Sequence, residues 1–203
     1  MPRTFRTSEA TRHEVYDGQH RFEHWYRDNT VYIVTSRCRD RFPAFDSEQA
    51  KLIFWDRFDH STTHFGFVPW VTTLLNNHYH TLGYLRVGDN LGPMMQRIHG
   101  SVAKLVNDTL DVRHLPFWRR AGNQDYFDGC IRDVLQLRRA YRYTLMQAVR
   151  AGLVRDYRHY PHTQVNLDVE TVVVRAVELN SFLEEVPYAR YDRKRRRGRN
   201  RGR

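Results

Sequence analysis

The chain has 203 residues, 40% hydrophobic and 13% aromatic, which suits one domain with a packed core plus appendages. Its net charge is +10, and Arg190–Arg203 alone supplies +8 through nine Arg/Lys and one Asp. Two cysteines, Cys38 and Cys130, exclude a disulfide framework or zinc-finger pattern. No apolar run of about 20 residues offers a membrane span, and the N-terminal text lacks the apolar centre of a secretory signal. The expectation is a cytoplasmic, nucleoid-associated protein.

Residues 1–20 are polar, mixed in charge and without period, and are expected to form a flexible arm. The text then turns aromatic and basic, with Arg21, Trp25, Tyr26 and Arg27 suited to base stacking and backbone contact on a nucleic acid, or to packing as a lead-in to the core. Thr30–Arg37, TVYIVTSR, is β-branched and aromatic and predicts a first strand. A helix is expected over residues 47–60, capped by Ser47 or Asp46, with Leu52, Ile53, Trp55 and Phe58 turned inward. Phe65–Leu75 and His78–Leu85 read as a hairpin about Asn76-Asn77, because asparagine tolerates the positive φ of tight turns.

Met94, Ile98, Val102, Leu105 and Val106 recur at helical spacing and predict a helix from Met94 to Leu110. A connector follows, with a short strand expected around Pro116–Arg119 and another over Tyr126–Ile131. A long helix is expected from about Asp133 to Ala151, ended by Gly152. Residues 155–163 read as a loop, and 168–182 as a β-branched run followed by a short helix. The order predicts an α+β domain, a ferredoxin-like antiparallel sheet with helices packed on it. The divisions expected are the arm at 1–20, a domain at 21–160, an extension at 161–189 and a disordered tail at 190–203. The tail, including Arg195, Arg196 and Arg197, is a candidate for salt-sensitive contact with nucleic-acid phosphates.

Two stretches carry chemistry. In His78-Tyr79-His80 the imidazoles are two residues apart, so a strand projects both from one face. Such a pair is either two half-exposed histidines or most of a metal site. On the helix after Asp133, Val134, Leu137, Tyr141, Leu145 and Ala148 form a core stripe, whereas Gln136, Arg139, Tyr143, Gln147 and Arg150 form a polar one. Tyr143 is then a surface tyrosine or a reactive group. Gln147, one turn on, places an amide oxygen on the same helix face. Two imidazoles and an amide oxygen with open positions suit a divalent cation acting on a phosphate. Arg139 and Arg150 are candidate phosphate contacts or plain helix surface. Tyr126 is a rival nucleophile, and His99 and His114 read as structural or surface residues.

These stretches resemble the HUH single-tyrosine (Y1) transposases of the IS200/IS605 type, and especially their REP-associated branch. LLNNHYHTLGYL carries the histidine strand, LRRAYRYTLMQAVRAGLV the tyrosine helix, and TVYIVTSRCRDR, LPFWRR and YFDGCIRD resemble the flanking segments. The likeness spans about residues 25–160. The position of a usual proline after the third ligand is Ala148, and that of a usual proline before the asparagine of the histidine strand is Asn76. The resemblance implies the HUH endonuclease fold, His78, His80 and Gln147 as ligands of Mg²⁺ or Mn²⁺, and Tyr143 as nucleophile. Zinc also suits two imidazoles and an amide.

The function so implied is a metal-dependent single-stranded DNA endonuclease and strand transferase acting on hairpin-containing DNA through a 5′-phosphotyrosine, without ATP. The alternatives are a non-catalytic DNA- or RNA-binding module of the same fold, and a replication or conjugation nickase of the wider class. A homodimer is an open expectation, since the resembling proteins include dimers with an exchanged tyrosine helix as well as apparent monomers.

Overall fold

The computed structural model describes residues 27–119 and 125–182. Arg21, Trp25, Tyr26, Arg195, Arg196 and Arg197, with the expected arm and tail, lie outside them. Five strands form one antiparallel sheet: β1 (Thr30–Arg37), β2 (Phe67–Leu74), β3 (His78–Leu85), β4 (Phe127–Cys130) and β5 (Thr163–Val165), in the spatial order β4-β1-β3-β2-β5. The first four keep the ferredoxin-like order, and β5 extends the sheet beside β2.

Alternation within each strand sends side chains to two faces, and each face buries its own core. Tyr32, Val34, Tyr79 and Leu85 face α1 (Glu48–Phe65) and α2 (Leu91–Asn107), whose Phe54, Phe58, Met94 and Ile98 complete the first core. Val31, Trp70, Val71 and Leu82 face the other way, toward Leu137 and Tyr141 of α3 (Val134–Leu145) and Val172 and Ala176 of α5 (Val169–Glu178), with the one-turn α4 (Gln147–Arg150) between those helices in sequence. Consecutive Trp70 and Val71 share a face because β2 bulges between Pro69 and Val71.

The Ser47 hydroxyl caps α1 by accepting from the Ala50 amide at 3.2 Å, and Gly66 ends it in a left-handed conformation (φ 72°). Within α1 the inward stripe is Phe54, Trp55 and Phe58, whereas Leu52 points to solvent. The next helix follows a 3₁₀ turn at Gly88–Asn90, runs from Leu91 and ends at Asn107, short of the expected Leu110. Near Pro116–Arg119 the chain makes one bridge, Trp118 to Cys38, rather than a strand.

The β-branched run after Asp168 is helical. The Asp168 carboxylate accepts from the amides of Glu170 and Thr171, and Val169, Val172, Val173 and Ala176 then recur on the core side. The expected extension thus contributes β5 and α5 to the sheet and its second core. No helix among the described residues is long and apolar enough to cross a membrane.

Asn76 and Asn77 make the hairpin connection without positive φ. Their amide side chains reach outward instead: Asn76 donates to the Asp46 carboxylate at 2.9 Å and Asn77 to the Arg41 carbonyl at 3.1 Å. The turn is closed by the Leu75 amide donating to the His78 carbonyl at 2.8 Å and tied to its neighbours by these side chains.

Gly83 of β3 sits under Phe67, and a Cβ there would lie 2.5 Å from both the Phe67 ring and the Val68 carbonyl oxygen. Gly83→Ala is expected to lower unfolding stability by about 1–3 kcal/mol through overpacking, measured by urea denaturation.

Candidate functional site

The pairing of β1 with β3 sets the site. Thr35 lies opposite His80, and Arg37 opposite His78. Cross-strand partners project to the same face, so these four side chains form a block on the α3 side of the sheet. The His78 and His80 rings stand edge to face with centroids 5.1 Å apart. The Tyr143 ring stands edge to face on His80 at 5.0 Å. The Arg150 guanidinium lies 5.1 Å from the Tyr143 ring centroid. Four sequence-picked residues, His78, His80, Tyr143 and Arg150, therefore converge within one chain. Tyr143 is 39% exposed, so its hydroxyl is within reach of a ligand.

The imidazoles are oriented by specific partners. His78 Nδ1 lies 2.6 Å from Asn77 Oδ1. An amide oxygen only accepts, so Nδ1 carries the proton and Nε2 keeps its lone pair. His80 Nδ1 is held by the Thr35 hydroxyl at 2.7 Å. Burial, reinforced by the Arg37 guanidinium, lowers the His78 pKa to about 4. Burial, then His78, Arg37 and Arg150, lowers that of His80 to about 3. Both rings are thus neutral at neutral pH.

The tyrosine helix differs from the single long helix expected. Asp133 caps α3, its carboxylate accepting from the Gln136 amide at 2.7 Å. Tyr141 turns into the core and donates its hydroxyl to the Leu167 carbonyl at 2.9 Å. The helix stops at Leu145, Met146 leaves helical geometry (φ −90°, ψ 10°), and the separate turn α4 follows. At this joint the Thr73 hydroxyl of β2 donates to the Thr144 carbonyl at 2.8 Å, an acceptor that a continuous helix would give to Ala148. Ala148 packs with Leu75 and Tyr160 in a small third cluster, which seats α4. Gly152 ends it with φ 71°.

Gln147 is consequently buried. Its amide nitrogen donates to the Tyr143 carbonyl at 3.0 Å, which fixes the amide's orientation and leaves Oε1 as the open acceptor. Two neutral imidazoles and an amide oxygen are donor types that suit a divalent cation of the Mg²⁺, Mn²⁺ or Zn²⁺ kind. Among the described residues, no group of three or more His, Cys, Asp or Glu side chains could hold a metal ion.

The other candidates separate from this cluster. Arg139 is exposed one turn before Tyr143. Arg27 is buried rather than displayed, its backbone lying against the Tyr32 hydroxyl and Gly88. Tyr126 packs in the first core, 6.0 Å from the His99 ring and across the sheet from His78 and His80. His99 is structural: it bonds the Tyr79 hydroxyl at 3.0 Å, pairs with Asp125 at 2.9 Å and stacks on Trp118. His114 stacks on Phe42. Thr35, Arg37 and Asn77 escaped the sequence reading. Their signal was the matching parity of T-x-R in β1 and H-x-H in β3, which acquires meaning only once the register is known.

No known family profile matches the chain, and no curated protein matches it. Among solved structures, a REP-associated tyrosine transposase bound to a REP hairpin is similar at 16% identity with a TM-score of 0.61, covering 81% of this chain and 92% of that one. A putative transposase from Deinococcus radiodurans R1 is similar at 13% identity and a TM-score of 0.42, covering 60% of this chain and 88% of that one. The chain has the fold of that tyrosine transposase, an α+β antiparallel sheet with helices packed on it.

Thr73→Val removes the hydroxyl beneath the helix joint and leaves the Thr144 carbonyl without that donor. The expected loss is about 1–3 kcal/mol of unfolding stability, read by urea denaturation.

Proposed function

We propose that this protein is a single-tyrosine transposase-type enzyme that nicks and rejoins single-stranded, hairpin-containing DNA through a 5′-phosphotyrosine. The observation that carries this reading is the approach of the exposed Tyr143 ring to the oriented, neutral His78–His80 pair. The fold shared with a transposase bound to a REP hairpin supports DNA as the substrate.

His78, His80 and Gln147 are the residues that would hold the divalent cation, Mg²⁺ or Mn²⁺. Once bound there, such an ion supplies Lewis-acid polarisation of a phosphate oxygen. Asn77 and Thr35 keep the two imidazoles in position by their hydrogen bonds to Nδ1. The Tyr143 oxygen attacks phosphorus, and its proton passes to solvent. The bond from phosphorus to the 3′ oxygen breaks, and that oxygen leaves as a hydroxyl after taking up a proton. The phosphodiester becomes a phosphotyrosine ester, so its bond energy is retained and rejoining needs no ATP. Arg139 and the basic tail with Arg195, Arg196 and Arg197 are proposed to add phosphate contacts along the DNA.

Incubating the full chain with single-stranded hairpin oligonucleotides and Mg²⁺ or Mn²⁺ is expected to yield a covalent adduct on denaturing gels. Tyr143→Phe should reduce the adduct to background while hairpin binding, read by fluorescence anisotropy, stays within about threefold. Adduct formation by the Phe variant would falsify the nucleophile assignment. Binding without any adduct from the unaltered protein would favour the non-catalytic module instead.

Thr35→Val keeps shape but removes the His80 partner. It is expected to weaken Mn²⁺ binding by about tenfold in isothermal titration calorimetry. Unchanged affinity would argue against His80 as a ligand.

A further inference from the structure

We propose that Arg37 and Arg150 form a two-sided seat for the scissile phosphate, Arg37 on the His78 side and Arg150 on the Tyr143 side. This inference rests on the phosphotyrosine reading and assigns Arg37 a role as a substrate-contacting residue.

Three observations carry it. Arg37 is the direct cross-strand neighbour of His78, on the same face of the sheet. Arg150 lies beside Tyr143, its guanidinium 5.1 Å from the ring centroid. Neither arginine pairs with a carboxylate among the described residues, whereas Arg39, Arg57, Arg113, Arg138, Arg158 and Arg175 each do.

Cations set beside lone-pair donors, with no acid to balance them, favour an incoming anion. A guanidinium matches phosphate geometry with paired N–H donors, which a lysine ammonium does not reproduce. Negative charge on the non-bridging oxygens increases as the phenol oxygen attacks, so donors fixed at both flanks stabilise the transition state more than the ground state.

The test uses an oligonucleotide whose cleaved linkage has been mapped by adduct formation with the unaltered protein. A second version carries a neutral methylphosphonate at that one linkage. Binding is measured with full-length Tyr143→Phe protein, alone and combined with Arg37→Gln or Arg150→Gln. In Tyr143→Phe alone, the methylphosphonate is expected to weaken binding about tenfold. In either Gln combination, the same replacement should cost only about threefold, the arginine that remains accounting for the rest. With Tyr143 restored, each Gln variant should slow adduct formation on the order of 100-fold.

Arg37→Lys guards against misfolding. It should keep the thermal midpoint of the unaltered protein and still form adducts more slowly. Additive losses from the Gln change and the methylphosphonate, at either arginine, overturn the two-sided seat. Adducts without this coupling overturn the seat alone, whereas no adduct from the unaltered protein overturns the phosphotyrosine reading and the seat with it.

Discussion

Everything at the candidate site depends on the register between β1 and β3. Antiparallel pairing of these two strands sets Thr35 across from His80 and Arg37 across from His78. A slip of one residue would turn the imidazoles toward the first core, among Phe54 and Phe58, and bring Tyr79 to the other face. The apolar residues prevent that slip. Tyr79 and Leu85 are fully buried on one side and Leu82 on the other, so a shifted strand would expose or misplace them. The core that stabilises the sheet is therefore also what aims the histidines.

The second dependency is the join between the sheet and the tyrosine helix. Leu137 and Tyr141 bind α3 to the sheet through apolar burial and one hydroxyl-to-carbonyl bond. Thr73 reaches up from β2 to the last turn of the helix. Tyr143, next to Thr144 of the buried side, lies on the flank of the helix rather than opposite the sheet, where its ring meets His80. Packing energy spent on ordinary leucines and tyrosines thus sets the position of a side chain that contributes little burial itself.

Much of this was legible in the residues. The strands at Thr30–Arg37 and His78–Leu85 declare themselves by β-branched and aromatic content, and Ser47, Asp133 and Gly152 mark helix ends by their capping chemistry. The H-x-H parity and the offset of Tyr143 from the Tyr141 stripe follow from strand and helix periods alone. What was hidden depended on partners distant in sequence. The helix break at Met146 involves a threonine 71 positions from Thr144, which no local propensity reports. The β-branched run after Asp168 belongs to the helix itself rather than preceding it, because the Asp168 cap and the three-and-four spacing of its core-side residues outweigh local β-branching. Asn76 and Asn77 suggested a conformational role, whereas their side chains act as anchors to the segment after β1.

The break after Leu145 divides the polar stripe into two bodies. Tyr143 belongs to a helix welded to the sheet, while Gln147 and Arg150 belong to a single turn held by Ala148 among Leu75 and Tyr160. The phenol ring that meets the His80 imidazole and the amide and guanidinium that follow it are therefore anchored by different parts of the core, the first through the sheet and the others through that small third cluster.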